Sequence, residues 1–156
     1  MVVCAVHIHT GMTCTGDAGG HYYTGTVTTD PWTSIVYSSD STGATSGSLT
    51  VTTGGSSGEV AGRAMIIHGH DGGRIGCAIL GAATQVTLTA SGFAPYYSYS
   101  GSLAVSGTVG PMTTVGTTQT FYWSLSDVDP ACSSGPDTSK ANSCGSESHD
   151  LDAALF

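Results

Sequence analysis

Two imidazoles, His7 and His9, stand two residues apart in a run that alternates apolar and polar side chains. In an extended strand that spacing puts both rings on one face, roughly 7 Å apart along the chain. Neutral imidazoles so placed can share one metal ion, and nitrogen donors suit Cu(II) or Zn. An H-x-H pair alone is a weak signal, since packed or surface histidines account for most such pairs. Here it has company. A glycine-rich stretch follows with Gly11, Cys14, Gly20 and His21, and a second cluster runs Gly62-Arg63-Ala64-Met65-Ile66-Ile67-His68 and on through His70, Asp71, Arg74 and Cys77.

The elements that must position these residues read as strands. Turn residues break the chain at short intervals, the rhythm of a sandwich or barrel. Candidate strands cover 2–9, 24–28, 34–37, 45–52, 61–68, 75–81, 85–91, 98–109 and 119–125. Gly110-Pro111 reads as a turn, Asp129-Pro130 ends the last strong strand, and from 131 onward the chain reads as a polar tail. No window holds a 3.6-residue apolar period, so the domain is expected to be nearly all β. At 156 residues the chain is long enough for one domain with a real core.

Charge narrows the function classes. The net charge is −8, and Arg63, Arg74 and Lys140 are the only strong cations. So few basic groups neutralise few phosphates, which argues against nucleic acid and against anionic membranes. No apolar run approaches the ~20 residues of a spanning helix. Five cysteines in a Ser/Thr/Gly-rich chain point to an oxidising, extracellular or cell-surface setting. The first residues lack the cationic start and apolar core of a secretion signal, so secretion is inferred from the cysteines and surface chemistry. The Ser and Thr runs are candidate O-glycan carriers; Asn142-Ser143-Cys144 is not the usual N-glycan acceptor.

In their order and spacing these motifs resemble the copper–zinc superoxide dismutases. In that family an H-x-H strand supplies two copper ligands, and a loop cysteine and a bridging histidine follow. A G-R-x-x-x-x-H strand then brings the last ligand, and an Arg-x-x-Cys segment places an arginine and a disulfide cysteine. The resemblance implies His7, His9, His21 and His68 as ligands of one copper ion, Arg74 as the arginine that guides the anion, and Cys14–Cys77 as a loop-anchoring disulfide. It also implies the chemistry. Superoxide would be dismutated to peroxide and oxygen, with Arg74 holding the anion and His21 returning a proton to the product.

The departures are as informative. The zinc ligands that follow the bridging histidine in the family have no counterpart, because 22–40 contains no histidine. Zinc is therefore not expected. Only five residues separate His68 from Arg74, so the long charged loop is also missing. That pattern is similar to the copper-only, repeat-forming branch of the family. A ligating imidazole ordinarily donates its second N–H to a carboxylate or carbonyl. Asp71 is the candidate partner for His21, and His70 is a fifth ligand, a proton donor or a solvated loop histidine.

The order is shifted. In the family three strands precede the H-x-H strand, whereas here 86–107 and 117–129, with Tyr122-Trp123-Ser124-Leu125, resemble those strands at the other end. The expected fold is thus a Greek-key β-sandwich or barrel of the superoxide dismutase type, with strands permuted within the chain or exchanged between chains. It would occupy 1–130, with 1–83 as the metal-site half and 84–130 as the other half. Residues 131–156 resemble the start of a next repeat: Cys144 precedes His149 as Cys4 precedes His9, with Glu147 at the position of His7. Cys132 would pair with Cys144 locally, or with Cys4 of a neighbouring chain. Strand donation that does not close on itself runs head-to-tail into a filament. Two functions follow as expectations: an extracellular copper-binding superoxide dismutase-like enzyme, or a structural, glycosylated filament subunit with an inherited metal site.

Overall fold

The computed structural model describes residues 4–82 and 87–134. They form an all-β, antiparallel architecture: β1 (Ala5–Ile8), β2 (Thr45–Thr52), β3 (Ala64–His68), β4 (Arg74–Ala82), β5 (Thr87–Ser91), β6 (Ala94–Pro95), β7 (Ser106–Val115) and β8 (Thr118–Ser126). One helical turn, Ser57–Val60, precedes β3, and a 3-10 turn, Pro130–Ser134, follows β8. The sheet runs β1-β3-β4-β5-β7-β8-β2, with β6 paired to β4, and curls into a half-barrel. The curl passes through β4, whose first residues pair with β3 and β6 while Leu80–Ala82 pair with β5.

The late strands fold back on the early ones of the same chain, Thr45–Thr52 lying beside Thr118–Ser126 in unbroken register. Cys4 is bonded to Cys132 of the same chain, and Cys14 to Cys77, each pair with Cα atoms 5.7 Å apart. Cys144, Glu147, His149 and the remainder of the expected repeat start lie outside the described residues.

Three sequence expectations are corrected. Segments 24–28 and 34–37 are β-branched but form loop and turns between β1 and β2. Gly25 there has a left-handed φ of 64° and Pro31 lacks an N–H, so the segment bonds to its surroundings rather than to a ladder. Gly110-Pro111 is no turn: it lies inside β7, where the pairing register to both neighbours shifts, and such a bulge is where a strand accommodates proline. The real β7–β8 turn falls at Gly116, with φ 62°. The strand predicted over 98–109 accordingly starts later, at Ser106.

Trp32, Phe121, Met112, Leu80, Ile67, Met65 and Ile8 are fully buried and belong to one apolar core. On β8, Gln119, Phe121, Trp123 and Leu125 point inward and alternate with more exposed residues. That is the period-2 pattern of a sheet with one wet face.

Candidate metal centre

β1 carries His7, with His9 directly after its last residue, and its partner β3 ends at His68, with Ala5 opposite His68 and His7 opposite Ile66. The chain after β1 turns back on itself. Thr10 N–H donates to the Gly20 carbonyl, Gly11 N–H to that of Ala18, and Tyr22 N–H to that of Ile8. This short ladder sets His21 opposite His9. Gly11 is required there, since a Cβ would stand 2.7 Å from the Ala18 backbone. The Cys14–Cys77 bond fastens the same loop to β4.

The result brings His7, His9, His21 and His68 together. One nitrogen from each ring lies within 4.8 Å of those of the others, and all four residues are buried. The hydrogen bonds decide which nitrogen that is. His7 Nε2 donates to the Ile35 carbonyl at 3.1 Å, His9 Nδ1 to Gly19 at 2.8 Å and His68 Nδ1 to Gly72 at 3.1 Å. A carbonyl only accepts, so each of these nitrogens holds the proton and the other keeps a lone pair. His21 Nδ1 donates in the same way to Asp30 Oδ2 at 2.7 Å.

The bare nitrogens are then His7 Nδ1, His9 Nε2, His21 Nε2 and His68 Nε2. His7 Nδ1 and His21 Nε2 are buried without a hydrogen-bond partner, while His9 Nε2 and His68 Nε2 face each other at 3.3 Å. Buried ring nitrogens that converge in this way are costly unless a cation sits between them. Metal–nitrogen bonds of about 2.0–2.1 Å place nitrogens on opposite sides of one ion about 4 Å apart, and this spacing is of that order. The group can hold a metal ion.

Electrostatics keeps the rings ready as ligands. Burial, reinforced by the neighbouring imidazoles, holds His7 and His9 well below the ordinary histidine range, and burial pushes His68 down to about 3. All three are neutral at pH 7, the form that binds metal. Asp30 is partly buried, which works against its charge. The hydrogen bonds from His21 and from Trp32 N–H outweigh that and keep its carboxyl below the usual range.

The loop between β1 and β2 builds the wall. Trp32 packs 5.4 Å from the His7 ring and donates to the Tyr22 carbonyl at 2.8 Å. Tyr37 OH donates to the His68 carbonyl at 2.9 Å, and Tyr37 N–H donates to the Cys4 carbonyl beside the Cys4–Cys132 bond.

The other sequence candidates fall nearby. The carboxylate that orients His21 is Asp30, not Asp71; Asp71 instead accepts Gly73 N–H at 2.8 Å in an exposed turn. Asp30 is the only carboxylate between His21 and Asp40, a signal that was there to be read. His70 is outside the four-ring group, and its N–H donates to Asp129 Oδ2. Arg74 opens β4 opposite His68 and reaches Asp17, Tyr96 and the Gly19 carbonyl. Asp17 and Tyr96 carried no sequence signal. Comparison with protein-family models, curated proteins and solved structures returns no match.

Proposed function

We propose that this chain is an extracellular, copper-binding module of the superoxide dismutase type, which converts two superoxide ions and two protons into peroxide and oxygen. One observation carries the reading: four buried imidazoles converge, each with its second ring nitrogen donating to a fixed acceptor. All-nitrogen donor sets of this kind suit Cu(II), and copper held by His7, His9, His21 and His68 would supply one-electron redox chemistry.

The remaining work belongs to the chain's own groups. Carbonyls of Ile35, Gly19 and Gly72 and the Asp30 carboxylate fix the ring orientations, so the site needs little reorganisation. Arg74, opposite His68 in the β3–β4 pairing, offers a charge-assisted hydrogen bond to an incoming anion. His21, held by Asp30 through Nδ1, is the ring that would pass a proton to the product, taking one from solvent at Nε2 when that nitrogen is not bound to the metal. A net charge of −8 opposes the steering of an anion, so turnover rests on the local field at Arg74.

An extracellular setting agrees with the two disulfides, a form that persists in oxidising compartments. Among the described residues no helix is long and apolar enough to cross a membrane.

The test is to add copper to metal-free protein, determine the metal bound per chain and follow the decay of superoxide. The reading expects one copper per chain and a superoxide loss that depends on it. Protein that takes up no copper, or loads it and leaves superoxide decay unchanged, overturns it.

A further inference from the structure

The guanidinium that would meet an anion is already paired. Arg74 Nη1 donates to Asp17 Oδ1 at 2.7 Å and to the Tyr96 hydroxyl at 2.6 Å, and Nη2 donates to the Gly19 carbonyl at 2.7 Å. The Tyr96 hydroxyl donates to the same Asp17 oxygen at 2.8 Å and accepts Ala18 N–H at 3.1 Å. Gly19 N–H donates to that oxygen too, at 3.0 Å. One carboxylate oxygen thus collects three donors on the outer side of Arg74: the Asp17 side chain is 52% exposed and that of Arg74 only 20%. The Gly19 carbonyl that accepts from Arg74 also holds His9 Nδ1, so a single peptide group links this cluster to the ligand set.

No other cation takes its place among the described residues. Arg63 is spent on the carbonyls of Glu59 and Thr10 and on the Tyr22 ring. We propose that Asp17 sets the anion affinity of the four-histidine centre: its carboxylate cancels the charge of Arg74, so a small anion must compete with Asp17 for the guanidinium. The inference rests on the copper reading above. Asp17 acts through Arg74 and is a positioning residue in this sense.

Asp17→Asn separates charge from geometry, because the amide oxygen still accepts from Arg74, Tyr96 and Gly19 N–H. The full chain is loaded with copper, its metal content measured, and azide titrated while the visible absorption of the copper is followed at low and high salt. Asp17→Asn is expected to bind azide about three- to tenfold more tightly at low salt, the gain shrinking as salt screens Arg74. Asp17→Glu restores weak binding. In an Arg74→Gln background, Asp17→Asn changes azide affinity by less than about twofold, since the two side chains share one interaction. Asp17→Ser, which also removes the charge at this half-exposed position, gives the same direction if the Asn variant folds poorly. Equal azide affinity with and without the Asp17 charge, or a gain that survives Arg74→Gln, overturns this inference alone. A wild-type chain that takes up no copper overturns the copper reading, and this inference with it.

Discussion

The two halves of the curled sheet are built on opposite rules. In β1 and β3 every residue is buried, through Ala5–Ile8 and Ala64–His68 alike. In β2 and β8 burial largely alternates, and the outer face is hydroxyl: Ser46, Ser48, Thr50 and Thr52 are exposed, and Thr50 and Thr52 bond across to Thr120 and Thr118 at 2.8 Å. The difference lies in what covers them. The loops after β1 dry the site half, so its polar atoms must be satisfied internally, and the imidazoles are tied to carbonyls and to Asp30. The outer face of the hydroxyl half meets water, and its buried Gln119 is satisfied locally by Thr53 and the Gly55 carbonyl. Precision is therefore concentrated where solvent is excluded, and the rest of the sheet serves as a frame.

Acid should separate the halves most strongly. In metal-free protein, burial keeps His7 and His9 far below, and His68 at about 3, whereas in the unfolded chain these rings titrate near ~6.5. The unfolded state then binds more protons, so stability is fully present above about pH 6.5 and falls as pH is lowered from there towards His68's own value. Urea unfolding of metal-free protein between pH 7.5 and pH 4 should show this decline, and His68→Gln should flatten it. A pH-independent midpoint would remove the claim that the rings are buried and neutral.

Phe121→Ala probes the frame. It leaves a cavity in the core and should lower unfolding free energy by about 3–5 kcal/mol. Phe121 has a ring contact with Trp32 at 6.5 Å, and Trp32 in turn has one with His7 at 5.4 Å. Copper affinity, measured in folded protein by competition with a chelator, should move less than about threefold. A parallel collapse of affinity would mean that the halves are one mechanical unit.

How much of this was legible in the residues follows the same division. His7, His9, His21 and His68 are legible through the resemblance of their motifs to those of a known family; spacing by itself offers only the His7–His9 pair on one face of a strand. The all-β class was equally readable from β-branched runs and turn residues. Asp30 was only half legible: it is the one carboxylate between His21 and Asp40, but its partnership with His21 depends on the path of a loop that has no period, and the expectation fell on Asp71 instead. The Asp17–Tyr96–Arg74 cluster joins residues 57 to 79 positions apart in pairs involving Asp17, which no local pattern encodes. The Gly110-Pro111 bulge was misread because glycine followed by proline marks turns far more often than strand interiors.

Two smaller effects sharpen the contrast. Asp30→Asn keeps the shape but offers His21 Nδ1–H a weaker acceptor. Metal affinity should fall about 10- to 100-fold, with little change in the stability of the metal-free protein. Thr120→Val, on the wet face, removes one hydroxyl pair and keeps the β-branch. It should shift stability by less than about 0.5 kcal/mol and leave copper affinity unchanged, as read from urea midpoints and the same competition assay.

The central claim is that one ion is shared by all four rings. Electron paramagnetic resonance of protein titrated with Cu(II) tests it most directly. The account expects a single signal that saturates at one copper per chain, with superhyperfine splitting from several nitrogens, and that is lost in the His9→Ala, His68→Ala double variant. An oxygen-dominated signal, or one unchanged in that variant, would contradict it.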